Sequence, residues 1–572
     1  MYAADGHGGN WNRRELLAAA ATAAVAAAAG NAGEADADAA DSPSPPAKAA
    51  GPAAGKAEPA ARRIDCDVLV YGSTPGGIAA AVEAARRGCK VVLACPKAHV
   101  GGMVASGLCT TDAVRRHLFG GFVAEFVSRV RELYRADLGE KSPELALTRD
   151  GWFYEPSVAE RAFAAILSTE AEAGAGRLEH LPSHHVRSAA LAGGRIASVT
   201  LDGPDGPGGS AGGAVVVSAR TFIDGTYEGD LAAAAKVPYR VGREGRDEFG
   251  EPLAGIHYMN WRTGKRIDTP DSGEPSPAIQ AFCARCIFTD DPAKRVPIER
   301  PASYERHLPD YLPLPDDFAA GRVKAWVAGA RLPRRKIEFN GHIEWPTSFN
   351  CPGVSWAWPE AGRRHRERLE RFHLDHAIGM MWFLQNDRRV PEALAAQVRE
   401  WGLHRDEFPD NGHLPWQIYV RQGRRIEGRA RVTQHNFTPD PVTGRTPAVE
   451  HPVALGEHSF DVHPCHDRRY AVDGFMEGVL WYPAKAAGPA RPGQIPYGAL
   501  LPKTLDNLLV PVALSCTHIA MSVLRMEPVW MTLGQIAGLA AAVAKDRRCD
   551  VASVDPTGLP STLKIPTEPM AR

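Results

Sequence analysis

The sequence has almost no excess of charge: 66 lysines and arginines stand against 67 aspartates and glutamates in 572 residues, a formal net charge of -1. That balance excludes the broad basic or acidic field by which nucleic-acid-binding and anionic-membrane-binding chains are drawn to their partners. Dense cysteine spacing is also missing. The ten cysteines, at 66, 89, 95, 109, 283, 286, 351, 465, 516 and 549, are scattered, which excludes a small disulfide scaffold. The single close pair, Cys283 and Cys286, is half of a four-thiolate site or two packed thiols. No apolar run is long enough for a comfortable membrane span of ~20 residues. With 44% hydrophobic and 23% charged residues, the composition is that of globular protein, and the length predicts more than one packed unit.

The longest apolar run, Leu16 to Ala29, follows Arg13-Arg14 and is mostly alanine, leucine and valine. Paired arginines before a short, mildly hydrophobic run predict a twin-arginine export signal over 1–30, and so a periplasmic or extracellular protein. A frayed alanine-rich helix is the alternative. Residues 31–63 contain almost no large apolar side chain and are expected to form a disordered tether.

Ordered structure is predicted from Cys66-Asp67-Val68-Leu69-Val70-Tyr71, a β-rich run. Gly72-Ser73-Thr74-Pro75-Gly76-Gly77 and an alanine-rich helix to about Arg87 follow directly. Strand, glycine turn and helix in this order form a dinucleotide-binding unit, in which small residues expose backbone N–H groups to a pyrophosphate at a helix N-terminus. Two departures stand out. Thr74 replaces the middle glycine, and after the second strand (90–94) Cys95 stands where an acid would bind ribose hydroxyls. Val100-Gly101-Gly102-Met103 follows, as in flavoproteins whose second glycine pair passes the ribose and phosphate.

Phe119-Gly120-Gly121, Phe153-Tyr154-Glu155-Pro156, the block Thr221 to Leu231, Gly242-Arg243-Glu244 and Arg285 with Thr289-Asp290-Asp291-Pro292 extend the pattern. So do Ile418 to Arg425 and, most specifically, Leu508 to Gly538. On these motifs the chain, from about Asp65 to Ala544, resembles the FAD-dependent oxidoreductase family that includes exported bacterial proteins called xanthan-lyase-like oxidoreductases. The resemblance implies an α/β, Rossmann-like FAD-binding domain assembled from both chain ends (64–239 and 491–548), with an inserted α+β substrate-side domain (240–490) and a C-terminal tail (549–572). Residues 240–480, rich in Trp, Arg, His and Pro, break the α/β alternation independently.

The expected FAD contacts are Gly72, Ser73, Thr74, Pro75, Gly76, Gly77, Cys95, Pro96, Gly101, Gly102, Met103, Val186, Thr226, Asp230, Ser515, Arg525, Gly534 and Gln535. Gly534, Ala537, Gly538 and Ala541 form a small-residue stripe that suits either a close cofactor or ordinary helix packing. His518 and Arg525 are the candidate catalytic residues: an acid–base or orienting imidazole, and a guanidinium facing the flavin or a substrate carboxylate. A packed-loop histidine and a buried ion pair are the competing readings. Tyr419, Arg421, Arg424 and Arg425 form a cationic and aromatic cluster for an anionic or sugar-like substrate, or else interdomain charge. His458, His463 and His466, near Asp461 and Asp467, lack a metal-ligand spacing, and no metal is expected.

The function so predicted is electron or hydride transfer between a small organic substrate, carbohydrate-derived compounds included, and bound FAD, with a further electron acceptor as partner. A polysaccharide lyase, a non-catalytic flavoprotein and an iron–sulfur flavoprotein of the heterodisulfide reductase kind are the alternatives.

Overall fold

The computed structural model describes residues 61–568 apart from 174–176, 205–211, 261–264, 322–328, 340–347, 469–470 and 479–490; the proposed signal and nearly all of the tether lie outside them. In chain order, β1 (Arg62–Tyr71), α1 (Pro75–Arg86) and β2 (Val91–Ala94) form the predicted strand–turn–helix–strand unit. Helices α2 (Gly121–Leu138) and α3 (Pro156–Ala173) precede β3 (Leu178–Leu181). The hairpin β4 (His185–Ala192) and β5 (Arg195–Gly203) then leads to β6 (Gly212–Asp224).

Parallel strands run in the order β3-β2-β1-β6. β6 divides its partners: Val215–Val217 pair antiparallel with β5, whereas Phe222 and Ile223 pair in parallel with a strand from the far end of the chain, Leu508–Leu509. The two chain ends therefore share one sheet. Its residues alternate between two apolar cores, with Val68, Val70, Val91 and Leu93 on one face and Leu69, Tyr71, Val92 and Ala94 on the other, as the two-residue period of a strand buried on both faces requires.

The inserted region holds a small antiparallel sheet: β7 (Ile287–Thr289), β8 (Arg295–Val296), β9 (Arg331–Leu332), β10 (Lys336–Glu338) and β11 (Gly402–His404), in the order β8-β11-β7-β10-β9. It also holds α4 (Tyr304–Tyr311) and the long α5 (Arg363–Asn386). After β12 (Leu508–Leu509), α6 (His518–Leu524) and α7 (Glu527–Arg547) return to the first domain.

α7 lies against α1 almost backbone to backbone. A Cβ on Gly534 would fall 1.9 Å from the Gly76 carbonyl oxygen, and one on Gly538 2.3 Å from that of Ala80. The small-residue stripe thus serves helix packing. Gln535 accepts from the Phe122 amide (2.9 Å) and donates to Glu83 (3.0 Å), binding α7 to α1 and α2. Both residues, expected at the cofactor, are occupied by the scaffold that carries it.

The segment expected as a tail is docked: Val551, Leu559, Leu563 and Ile565 are buried, and Tyr497 donates to the Val551 carbonyl (3.0 Å). Among the described residues no helix is long and apolar enough to cross a membrane.

Candidate functional site

The parallel strands end in register. Tyr71 lies beside Ala94 on one side and Asp224 on the other, so the segments after β1, β2 and β6 meet outside their carboxyl ends, where open α/β sheets bind ligands. At Gly72, φ is +108°, and a Cβ there would approach the Gly225 carbonyl carbon to 2.7 Å. Only glycine fits. Thr74, where a glycine is usual, is the helix N-cap: its hydroxyl accepts from the Gly77 amide (3.2 Å) and donates to the Gly225 carbonyl (2.6 Å). Pro75 occupies the first turn, and the Gly101 amide donates to the Ser73 carbonyl (2.8 Å), docking the second glycine pair on the first turn.

A narrow cleft at this meeting point is lined by Gly72, Ser73, Thr74, Cys95, Pro96, Gly102 and Thr226, seven of the predicted contacts. It adjoins a cavity of about 490 Å³ whose walls include Tyr71, Pro96, Val186 and Asp230. Trp358 and Arg366 of the inserted region, Lys97 and Gln417 also line it, and none of these was expected.

The Asp230 carboxylate is held by Arg366 (2.6 and 2.9 Å) and Arg424 (2.8 Å). Burial opposes its charge, but the two guanidiniums keep it below the ordinary range. Glu228 accepts from the Trp358 indole (3.0 Å), and burial raises its pKa. With Cys95 a buried thiol, Glu228 and Asp230 are the carboxylates nearest the glycine turn in sequence order that line this cavity.

Deeper in, Tyr227 accepts from the Met103 amide (3.0 Å) and donates to Glu527 (2.6 Å), the first residue of α7. Burial pushes the Glu527 carboxyl up to about 8, so it is protonated at neutral pH. Its second oxygen and the Trp530 indole N–H are buried without a partner among the described residues. Orphaned polar atoms at a helix N-terminus beside a glycine-lined cleft fit a large polar cofactor.

On the inserted side, Tyr419 is surrounded by three arginines. Arg285 and Arg421 lie over its ring at 4.2 and 4.8 Å, and Arg525 donates to its hydroxyl (3.2 Å). Arg285 pairs with Glu338 (2.9 Å) and Arg525 with Asp461 (2.5 Å). Arg421, 1% exposed, donates to the Ala281 carbonyl and to Cys283 Sγ (3.6 Å). The Val420 amide donates to Met103 Sδ (3.1 Å), linking this cluster to the second glycine segment.

The chain matches the model of the family described as FAD dependent oxidoreductase over residues 67–563. It belongs to that family. The oxidoreductase binds FAD, and the cleft, the cavity and the orphaned donors are the parts of its structure that fit the cofactor. No curated protein matches it.

Among solved structures it is similar to Mycobacterium smegmatis Sdh1 in complex with UQ1, at 12% identity over 88% of this chain and 72% of that one, with a TM-score of 0.30. The myxobacterial FAD-dependent halogenase CndH matches at 19% identity over 39% and 49% of the two chains (TM-score 0.22). L-proline dehydrogenase from P.horikoshii matches at 12% over 35% and 27% (TM-score 0.19). The oxidoreductase thus spans about a quarter of the proline dehydrogenase and half of the halogenase; similarity this partial carries neither substrate nor partner.

Within the oxidoreductase, His518 and Ser515 are buried away from the walls of both cavities. His518 Nδ1 meets the Gln422 side-chain oxygen (2.8 Å), and its amide donates to Glu244 (2.8 Å). Burial and the adjacent Arg243 and Arg425 hold its imidazole neutral. The arginine cluster read from sequence is divided: Arg424 faces the cavity, Arg425 pairs with Glu244 (2.8 Å), and Arg421 joins Tyr419. Cys516 is pushed up to about 12 by burial, and Cys95 and Cys109 are raised in the same way, so none of the three offers a thiolate.

Proposed function

We propose that the enzyme oxidises a small organic hydroxy acid, carbohydrate-derived acids included, whose carboxylate is held by Arg421. The observation that carries this reading is a buried guanidinium with no carboxylate partner among the described residues, on the same segment as Tyr419 and Gln422. Its neighbours Arg285 and Arg525 each have an acid, which leaves an excess positive charge for a ligand to neutralise. Arginine stays protonated there and presents a fork matched to a carboxylate.

Bound FAD supplies the two-electron acceptor for a hydride. His518 lines neither cavity, and its assignment to the substrate hydroxyl rests on its orphaned Nε2 alone. Gln422 Nε2 donates to the Gly242 carbonyl (3.3 Å), which turns its oxygen toward His518 Nδ1, so Nδ1 carries the proton. Nε2 is then a bare lone pair, buried and without a partner among the described residues, able to accept from the hydroxyl while the hydride leaves carbon.

Anaerobic mixing with a panel of hydroxy acids, sugar acids and their neutral amides or parent sugars tests the assignment. Acids are expected to bleach the flavin faster, and Arg421→Ala to lower kcat/KM for them by about 10–100-fold, the worth of one hydrogen-bonded charge. Equal bleaching by the neutral compounds, or an unaffected variant, overturns it.

Arg13 and Arg14, outside the described residues, support export of the folded flavoprotein by the twin-arginine route. Replacing both by lysine is expected to keep the protein, with its flavin, in the cytoplasm. Normal export of that variant rejects the route.

A further inference from the structure

α5 runs from the cofactor cavity, where Arg366 forms part of the wall, into the interior of the inserted region. Ten residues beyond Arg366, or ~15 Å along the helix, is His376. It faces α4, whose Tyr311 hydroxyl donates to the His376 carbonyl (2.8 Å). On α4, His307 and Asp310 stand three residues apart and so share a face. One ligand atom from each of His307, Asp310 and His376 lies within 4.8 Å of the other two.

His307 is fully buried, and neither ring nitrogen has a hydrogen-bond partner among the described residues. Burying an imidazole unsatisfied at both nitrogens is unfavourable, and nothing among the described residues repays it.

We propose that His307, Asp310 and His376 bind a zinc ion that fastens α4 to α5. Two imidazoles and one carboxylate supply three of zinc's four positions, with water as the fourth. None of the three residues lines the cofactor cavity or its cleft, and Phe372 packs on His307 (ring centroids 4.4 Å apart), so the ion is structural. By fixing α5 it also fixes Arg366 and, through it, Asp230.

The full-length flavin-loaded protein, dialysed against chelator and then supplied with zinc, is expected to hold about one zinc per chain. Cobalt in its place should absorb beyond the flavin bands with the intensity of a tetrahedral site. His307→Ala and Asp310→Asn should each lose the ion and the cobalt absorption. Flavin content reports folding, and if His307→Ala loses flavin, the half-buried Asp310→Asn decides. No zinc after reconstitution, no cobalt absorption, or zinc kept by the folded variant overturns the proposal.

Discussion

Gly77→Asp is expected to yield protein that carries essentially no flavin. A Cβ at residue 77 would fall 1.9 Å from the Gly72 carbonyl oxygen and 3.6 Å from the Gly225 Cα, inside the tightest part of the turn. Neither neighbour is a side-chain tip that can swing aside, so the turn itself must open. Overpacking of this kind costs about 1–3 kcal/mol, and the displaced amides are those that a pyrophosphate at this helix start would meet. Aspartate adds a negative charge at a helix start, where it favours the helix but competes with the diphosphate for the same N–H groups. Gly77→Ala separates the two effects: it keeps the steric insult, without the charge, and should retain part of the flavin. The ratio of flavin to protein absorbance, with circular dichroism to show that each variant is folded, measures both. A fully loaded Asp variant would remove the glycine turn from the cofactor site.

The turn was readable because its requirements are local. A strand buried on both faces shows as an unbroken apolar run, and a helix N-terminus pressed on backbone shows as glycine. Even the departure at Thr74 has a local reason, since a hydroxyl caps the helix that the missing glycine would only have made room for. The stripe of Gly534 and Gly538 was equally visible, but small residues record only that something approaches; that it is α1 follows from tertiary structure.

Residues that act at a distance left less trace. Trp358 and Arg366 reach the cavity because α5 starts there, and no spacing within the inserted region connects them to the glycine turn. Arg421, Arg424 and Arg425 looked alike in sequence and separate because neighbouring positions on an irregular segment point in different directions. The docking of Leu559, Leu563 and Ile565 was hidden in a stretch too short and too rich in proline to show a period.

Arg525→Ala is expected to destabilise the enzyme by about 3–5 kcal/mol, because it leaves Asp461 buried and ionised without its partner. Arg525 donates to both the carbonyl (3.0 Å) and the carboxylate (2.5 Å) of Asp461. His463 lies 3.6 Å from that carboxylate but is pushed down to about 3 by burial and Arg421, so it does not replace the guanidinium.

The pH dependence fixes the cause. Burial acts against the Asp461 charge, but Arg525 holds the folded-state pKa well below the unfolded value of about 3.9, so the pair's contribution is present above that pH and is lost as pH falls through the folded pKa. In Arg525→Ala the largest opposing influence is gone and burial outweighs the lesser pull of His463 and His458, so the Asp461 pKa is expected above the unfolded value. The variant therefore loses stability as pH rises from about 4, and its deficit against the parent is widest at neutral pH and narrows on acidification. Combining Arg525→Met with Asp461→Leu removes both charges and should recover most of the stability.

The flavin potential separates a redox role from a structural one. The single variant removes one positive charge beside Tyr419 and should lower the potential, whereas the double variant, with the same net charge as the original pair, should return it toward the parent value. Denaturant unfolding across pH and a dye-equilibrated potential provide the two readings. A double variant as unstable as Arg525→Ala would mean that the arginine acts through Tyr419 instead of Asp461. A potential that is the same in all three proteins would assign Arg525 to the scaffold.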